Sequence, residues 1–372
     1  VTDHEHSEHI TRHGALILNL GSPAAPTPQA LRRYLRRFLN DPRVVDVPSP
    51  LRGLLVGGVI APLRAWRSAR RYRNIWTALG SPLDLYTAAQ SRGLGTRLPG
   101  TTVAHAMCYG EPSIESVIRE FARQSITDIV LVPLYPQYAS ASVGATLAEV
   151  YRCVSALPFV PTLKVVRPFF ADEGYLDATA ARIRASLADF DADHLVLSYH
   201  GLPVRQLRAA TRITGGRCEL GECCATLRAD NHACYRAQCL ATSRLLTERL
   251  PKLPISTVFQ SRISGSRWSG PHLEDEIVEL ARRGVRRAAV ACPGFVADNL
   301  ETLHDVAIDA RQAFLAAGGE ALLAVPCVND DRRWLDVLAG MIRREQGVRA
   351  AAPIPEAEAE AEPALVAEVL KL

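Results

Sequence analysis

AAVACPGFVADNLETLHDVAIDARQAFLAAGG (288–319) reads as one unit of an α/β protein. AAVAC (288–292) is an apolar run of strand length, and Pro293-Gly294 turns the chain. ETLHDVAIDARQAFLAAG (301–318) then carries helical apolar spacing and ends in a Gly-Gly stop. The same alternation extends outward along the chain. ALILNL (15–20), TVAHAM (102–107), IVLVPL (129–134), LVLSYH (195–200), ISTVF (255–259) and ALLAVP (321–326) are mostly apolar runs without a polar face, as buried parallel strands require. SIESVIREFARQS (113–125) has helical spacing between two of them. The pattern predicts an α/β fold with open parallel sheets and its strands in two sets. A break near VRPFFADEG (166–174) sets a first domain at 14–165 and a second at 166–346. The Pro/Ala/Glu tail at 347–372 is expected to be disordered, with the spacing of a short amphipathic helix in its last ten residues. No internal repeat is evident at the level of motif.

Bulk properties narrow the function classes. The 372 residues are 48% apolar and 22% charged, as in ordinary folded soluble chains. A net charge of +4 with no aromatic-interleaved basic stretch argues against nucleic acid as a partner. The longest apolar run, LLVGGVIAPL (54–63), is too short to span a bilayer. It lies between Arg52 and RAWRSARRYR (64–73), which leaves two readings open: a peripheral membrane contact, or a buried helix with a solvated arginine face. The opening VTDHEHSEHITRHG has no charged segment followed by an apolar core, so a cytoplasmic location is expected.

In open α/β sheets, ligands bind beyond the carboxyl ends of the strands. Two stretches stand there. SYHGLP (198–203) puts His200 at a strand end before a turn. In the quoted unit, Asp298, Glu301 and Asp305 are spaced i, i+3 and i+7, which an α-helix brings to one face. A solvated acidic face complementing the helix dipole is the plain alternative. A histidine opposed to a row of carboxylates is suited to accepting protons, passing them to solvent and attracting a divalent cation. A site with both would exchange protons for a metal.

CELGECCATLRADNHACYRAQC (218–239) holds five of the nine cysteines. In a reducing compartment such a cluster reads as metal ligands or redox thiols, and disulfides are a poor first choice. Cys108, Cys153, Cys292 and Cys327 lie in or near apolar elements and read as core residues.

Taken in order, LILNLGSP, RRYRNIW..LGSPL, PLYPQYA, SYHGLP, YRAQC..T, FQSRISGSRW and CPGFVADNLETL make nearly the whole chain resemble the ferrochelatases, lyases that insert ferrous iron into a porphyrin to make haem. The resemblance implies two Rossmann-like domains with a porphyrin cleft between them. It implies that His200 accepts pyrrole protons, that Glu301 works beside it, and that Asp298 and Asp305 line a metal path. Tyr86, Tyr135, Tyr138 and Trp268 are candidates for the walls that grip the macrocycle, core packing being the other reading. Arg73 is a candidate for a porphyrin propionate, or else a solvated face residue. Leu20 departs from relatives that carry methionine or tyrosine there, and leucine cannot coordinate iron. That departure favours protoporphyrin IX over coproporphyrin III as substrate. Asn299 stands where animal relatives have histidine.

Between SYHGLP and YRAQC the chain is longer than in simpler relatives. Cys218, Cys223, Cys224 and Cys234 arrive in that insertion, while Cys239 sits where relatives also have cysteine. Some ferrochelatases carry a [2Fe–2S] cluster, so the four are expected to hold one, with Cys239 as alternate and structural zinc as the competing occupant. Two other functions remain open: a chelatase for cobalt or nickel and another tetrapyrrole, and a tetrapyrrole-binding redox sensor without turnover.

Overall fold

The computed structural model describes residues 12–45, 52–54, 56–262 and 267–347. The opening segment and nearly all of the tail expected to be disordered lie outside the described residues. The first half runs β1 (His13–Asn19), α1 (Pro28–Asn40), a π-helical turn (Val56–Ile60), α2 (Ala61–Ile75), α3 (Pro82–Arg97), β2 (Thr101–Met107), α4 (Ile114–Arg123), β3 (Asp128–Pro133), a second π-helical turn (Ser140–Gly144), α5 (Ala145–Val154) and β4 (Thr162–Val165). The second runs α6 (Glu173–Leu187), β5 (His194–His200), α7 (Val204–Ile213), a 3₁₀ turn (Glu222–Cys224), α8 (Tyr235–Thr247), β6 (Ile255–Gln260), α9 (Leu273–Arg282), β7 (Arg287–Ala291), a π-helix (Glu301–Ala310) continuing as α10 (Arg311–Ala316), β8 (Ala321–Ala324) and α11 (Arg332–Gln346).

The strands form two sheets, β2-β1-β3-β4 and β6-β5-β7-β8, with every pairing parallel. The second half therefore repeats the strand order of the first, although no motif repeats. In each sheet the order reverses at the leading strand, β1 or β5, which puts a ligand crevice beyond its carboxyl end. The central strands are buried because both faces are covered, and β1 is enclosed from Gly14 to Asn19. β4 escapes the apolar-run criterion because it is a four-residue edge strand, TLKV, whose Lys164 pairs with Asp128 at 2.9 Å.

The strands separate at 165/166, but the packing does not. One core cluster joins Ala15 and Val130 of the first sheet to Leu195 and Ala289 of the second. α11 packs on α3, β3 and β4 as well as on α6. Its Trp334 is fully enclosed against Phe169 and Tyr175. Arg343 donates to the Arg97 carbonyl at 2.6 Å, and Gln346 donates to Thr101 Oγ1 at 3.0 Å. A Cβ on Gly93 would stand 2.5 Å from Leu335, so α3 and α11 meet closely because position 93 has no side chain.

Candidate active site

β5 ends in register with β6, His200 facing Gln260. His200 Nδ1 donates to the Gly201 carbonyl at 2.7 Å; a carbonyl can only accept, so Nδ1 carries a proton, and in the neutral form of the ring Nε2 is the acceptor nitrogen. The turn after it is fastened twice. Gly201 N–H donates to the Gln260 carbonyl at 2.9 Å, and Leu202 N–H donates to Ser269 Oγ at 2.9 Å. A Cβ on Gly201 would stand 3.0 Å from that Gln260 oxygen and 3.4 Å from the Trp268 ring. Trp268 thus lies beside the histidine turn, its indole N–H buried without a partner.

Gln260, which motif reading passed over, joins the histidine strand to the acidic helix. Its Nε2 donates to the Glu301 carbonyl at 2.9 Å, and its Oε1 accepts from Ser198 Oγ at 2.6 Å. Removing so enclosed an amide would strand two polar partners, at about 1–3 kcal/mol each.

The acidic row differs from its sequence reading. Asp298 is not on the helix: it precedes it, is buried, and accepts from Thr302 Oγ1 (2.9 Å), Asn329 Nδ2 (2.7 Å) and the Cys327 N–H (3.3 Å). Its carboxylate is a structural acceptor that fixes the approach to the helix. Asn299 caps the helix start, its Oδ1 accepting from Glu301 N–H at 2.9 Å and Thr302 N–H at 3.3 Å. The helix is π-helical from Glu301 to Ala310. With i→i+5 bonding and about 4.4 residues per turn, positions four apart nearly align, so the row is Glu301, Asp305 and Asp309. Asp309 was missed because its place depends on that winding.

The outer end of the row meets α2. Arg71 pairs closely with Asp305 and lies 3.9 Å from Asp309, while Ser261 Oγ donates to Asp305 at 3.0 Å. His304 Nδ1 is 3.2 Å from Asp309, and its Nε2 is 3.3 Å from Asn74 Nδ2. Burial lowers the His304 pKa. His304, Asp305 and Asp309 bring ligand atoms within 4.8 Å of one another. At the inner end, Glu301 and Asp84 of α3 both lie in electrostatic reach of Tyr34 and Tyr72. Burial first, and then these carboxylates, push the Tyr72 phenol up. Burial also raises the Asp84 carboxyl to about 7, and its Oδ1 is enclosed without a partner. Polar groups of both halves thus converge on one crevice.

The four aromatic candidates occupy different surroundings. Tyr86 is buried with Leu83 and Ala297, and Leu20 packs on them. Tyr135, half-buried, has its hydroxyl 3.3 Å from Thr146 Oγ1. Tyr138, half-buried, is pinned through its backbone N–H to Gln238 Oε1 at 2.7 Å. Arg73 is exposed on α2, two residues from the Arg71 that reaches the acidic row.

Cys218, Cys223, Cys224 and Cys234 are neighbours. Cys223 and Cys224 sulfurs are 3.6 Å apart, Cys218 is within electrostatic reach of both, and Cys234 is within electrostatic reach of Cys224. Interaction with Cys224 holds the Cys234 thiol down to about 7, helped by N–H groups of the α8 start, whose N-cap it occupies. Asn231 braces the loop, donating to the carbonyls of Cys223 (2.6 Å) and Thr226 (2.8 Å). Cys239 stands apart, fully buried beside Tyr235. Four thiolates about one zinc at ~2.3 Å would all lie within about 4 Å of one another. Among the described residues no three cysteine sulfurs gather within 4.8 Å, whereas one adjacent pair does. The four thiols thus lie around one loop, with one pair of sulfurs already adjacent, close enough to converge on a shared metal group.

A solved structure of SirB from Bacillus subtilis with Fe3+ superposes with a TM-score of 0.52 at 14% identity, over 90% of this chain and 96% of that one. Ferrochelatases of Pseudomonas putida (strain W619) and Pseudomonas fluorescens (strain Pf0-1) are 39% and 41% identical, each over 90% of this chain and over 100% and 98% of their own lengths. The ferrochelatase of Azoarcus sp. (strain BH72) is 39% identical over 96% of this chain and 94% of its own. The ferrochelatase family model matches residues 12–346, and with these relatives it establishes that the chain belongs to the ferrochelatase family.

Proposed function

We propose that this chain inserts ferrous iron into protoporphyrin IX, forming protohaem and releasing two protons. The observation that carries the reading is His200 at the strand end, its Nδ1 committed to the Gly201 carbonyl so that Nε2 is the nitrogen left to accept, on a strand joined through Gln260 to the Glu301 backbone. Insertion breaks two pyrrole N–H bonds as iron bonds to the four ring nitrogens, so the two protons need acceptors near the ring centre. His200 Nε2 takes a proton there. Glu301 assists it, and Asp305 and Asp309 carry charge between crevice and surface. Trp268, Tyr86, Tyr135 and Tyr138 form the walls against the macrocycle, and Arg73 meets a propionate. Leu20, with no donor atom, favours protoporphyrin IX over coproporphyrin III. The two strand sets, 14–165 and 166–346, act as the two sides of the crevice.

Cys218, Cys223, Cys224 and Cys234 hold a [2Fe–2S] cluster, which when bound supplies one-electron redox chemistry. The adjacent Cys223 and Cys224 sulfurs, with Cys218 and Cys234 close by, support this. Cys223→Ser is expected to lose most of the iron and sulfide; full retention would reassign the ligands. Leu54 and Trp66 are 74% and 71% exposed, and Arg64, Arg67 and Arg70 stand among them. That supports peripheral contact with an anionic membrane from the cytoplasmic side. No helix among the described residues is long and apolar enough to cross one.

The test is anaerobic: ferrous iron and protoporphyrin IX are mixed with the protein, and loss of porphyrin fluorescence is followed with gain of haem absorbance. Turnover is expected. Porphyrin binding without turnover, with coproporphyrin III turned over instead, would move the substrate; no turnover of either would leave a sensor.

A further inference from the structure

The turn between β7 and the acidic helix is gripped from the first half by two buried amides. Gln90 of α3 is fully enclosed, and its Nε2 donates to the Val296 carbonyl at 3.0 Å and to the Asn329 carbonyl at 2.6 Å. Both partners can only accept, so the amide nitrogen must face them. Gln137, in the loop after β3, is also buried. Its Nε2 donates to Thr242 Oγ1 at 3.0 Å and to the Pro293 carbonyl at 3.4 Å. The Tyr175 hydroxyl donates to that same carbonyl.

Each amide stands next to the proposed aromatic wall. Gln90 lies one turn beyond Tyr86 on the same face of α3, and Tyr86 packs with Ala297, the residue after Val296. Gln137 lies between Tyr135 and Tyr138 in the chain. On the other side, Val296 and Asn329 flank the seat of Asp298. Asp298 N–H donates to Asn329 Oδ1 at 2.8 Å, and Asn329 Nδ2 donates back to the carboxylate at 2.7 Å. The carboxylate accepts from Thr302 Oγ1, and Asn299 caps the helix that begins at Glu301. Tyr86, Gln90, Asn329, Asp298 and Thr302 are thus joined in series, each to the next by one turn of helix or a hydrogen bond.

We propose that Gln90 and Gln137 are positioning residues that set the distance from the aromatic wall of the first half to Glu301, so that a macrocycle gripped by the wall has its centre presented to the acidic row. The inference rests on the insertion reaction and the wall proposed above. The amides touch neither ring nor iron. Without them two or more buried carbonyls lose their donors and the turn resettles away from α3. The wall still binds porphyrin, but Glu301 no longer meets the ring centre, and a displacement of about 1 Å is enough to cost up to about 10²-fold in rate.

Gln90→Met and Gln137→Met, which keep side-chain length and remove the donors, test this in the full chain. Iron insertion into protoporphyrin IX gives kcat and KM, porphyrin titration by fluorescence counts the competent sites, and amide hydrogen exchange is followed across 293–302. Gln90→Met is expected to lose about tenfold in kcat per porphyrin-binding site, with the porphyrin KM within about twofold of wild type. Exchange at the amides of Asp298 to Thr302 is expected to speed up about tenfold. Gln137→Met, whose bond to Pro293 is longer and shared with Tyr175, is expected to lose about threefold in kcat. General loosening of the fold would instead remove porphyrin-binding sites and leave kcat per site unchanged. Wild-type kcat in Gln90→Met, or a porphyrin KM that rises as far as kcat falls, overturns the proposal. Should Gln90→Met fail to fold, Gln137→Met decides: a lower kcat at unchanged KM upholds the spacing role, and wild-type kcat overturns it. A wild-type chain that makes no haem overturns the insertion reading instead. Faster exchange at 298–302 in Gln90→Met then still upholds the amides as what holds this turn, and unchanged exchange removes them.

Discussion

The carboxyl ends of β1 and β5 hold the same place in two sheets of one strand order, yet carry different chemistry. β5 ends on His200, whose Nδ1 is taken by the Gly201 carbonyl and whose Nε2 is left to accept. β1 ends on Asn19, buried and turned inward to Thr87 Oγ1 at 3.0 Å, and on Leu20, which packs against Tyr86 and its neighbours. One strand end can take a proton; the other can only fill space. Equivalent topology fixes where a ligand sits, and the side chains at the switch points decide what each wall does to it. On the function proposed above, the second half supplies the reactive groups and the first a wall; through Arg71 the first half also brings a cation to the outer end of the acidic row.

The strongest way to break this comparison is to truncate both ends. His200→Ala is expected to lower kcat about 10³-fold with porphyrin binding retained, whereas Leu20→Ala is expected to stay within a few-fold. Equal losses in the insertion assay would make β1 a reactive wall too. Gln260→Leu, which leaves Ser198 and the Glu301 carbonyl without their partner, should cost about 2–4 kcal/mol in urea unfolding and about tenfold or more in kcat. A stable variant with wild-type kcat would show that the two strand ends need no bridge. Arg71→Met, which frees Asp305, is expected to change kcat less than tenfold and to make the rate less sensitive to salt. A change in porphyrin KM alone would place Arg71 on the substrate instead.

The smallest effect concerns stability. Asp84 titrates near 7 in the folded chain because burial disfavours its charged form, against an ordinary 3.8. The folded state therefore holds the extra proton between about pH 4 and 7. The stability this carboxyl contributes is fully present below about pH 4 and is lost as pH rises through 7. Asp84→Asn should match wild type near pH 4 and be the more stable of the two at pH 8, read from urea midpoints. An equal shift at both pH values would mean that the carboxyl is not ionised against its surroundings.

What the chain reveals on inspection depends on how local each feature is. Buried strands such as LVLSYH announce themselves because both faces are apolar, and His200 is legible because it ends one. The edge strand TLKV is half polar and short, so it does not. The row Asp298, Glu301, Asp305 follows from 3.6 residues per turn; the wider winding replaces its first member with Asp309, a change no side-chain periodicity announces. Gln260 and Arg71 are invisible for another reason. Their partners lie 41 and 234 residues away, so only the folded chain brings them together. The cysteines fall between these cases: their clustering is local, but only the fold separates Cys239 from the other four.

The crossing of α11 bears on how the molecule is made. The first sheet is complete in sequence at Val165, but the helix that covers part of it ends at Gln346. At ~5–20 residues per second, a ribosome needs roughly 10 to 40 s to synthesise the intervening 180 or so residues. Throughout that interval the faces of α3, β3 and β4 that α11 will cover, including the Gly93 surface that will meet Leu335, are without that helix. The first sheet is made well before the helix that covers part of it, so the nascent chain presents an open apolar surface until α11 has been made.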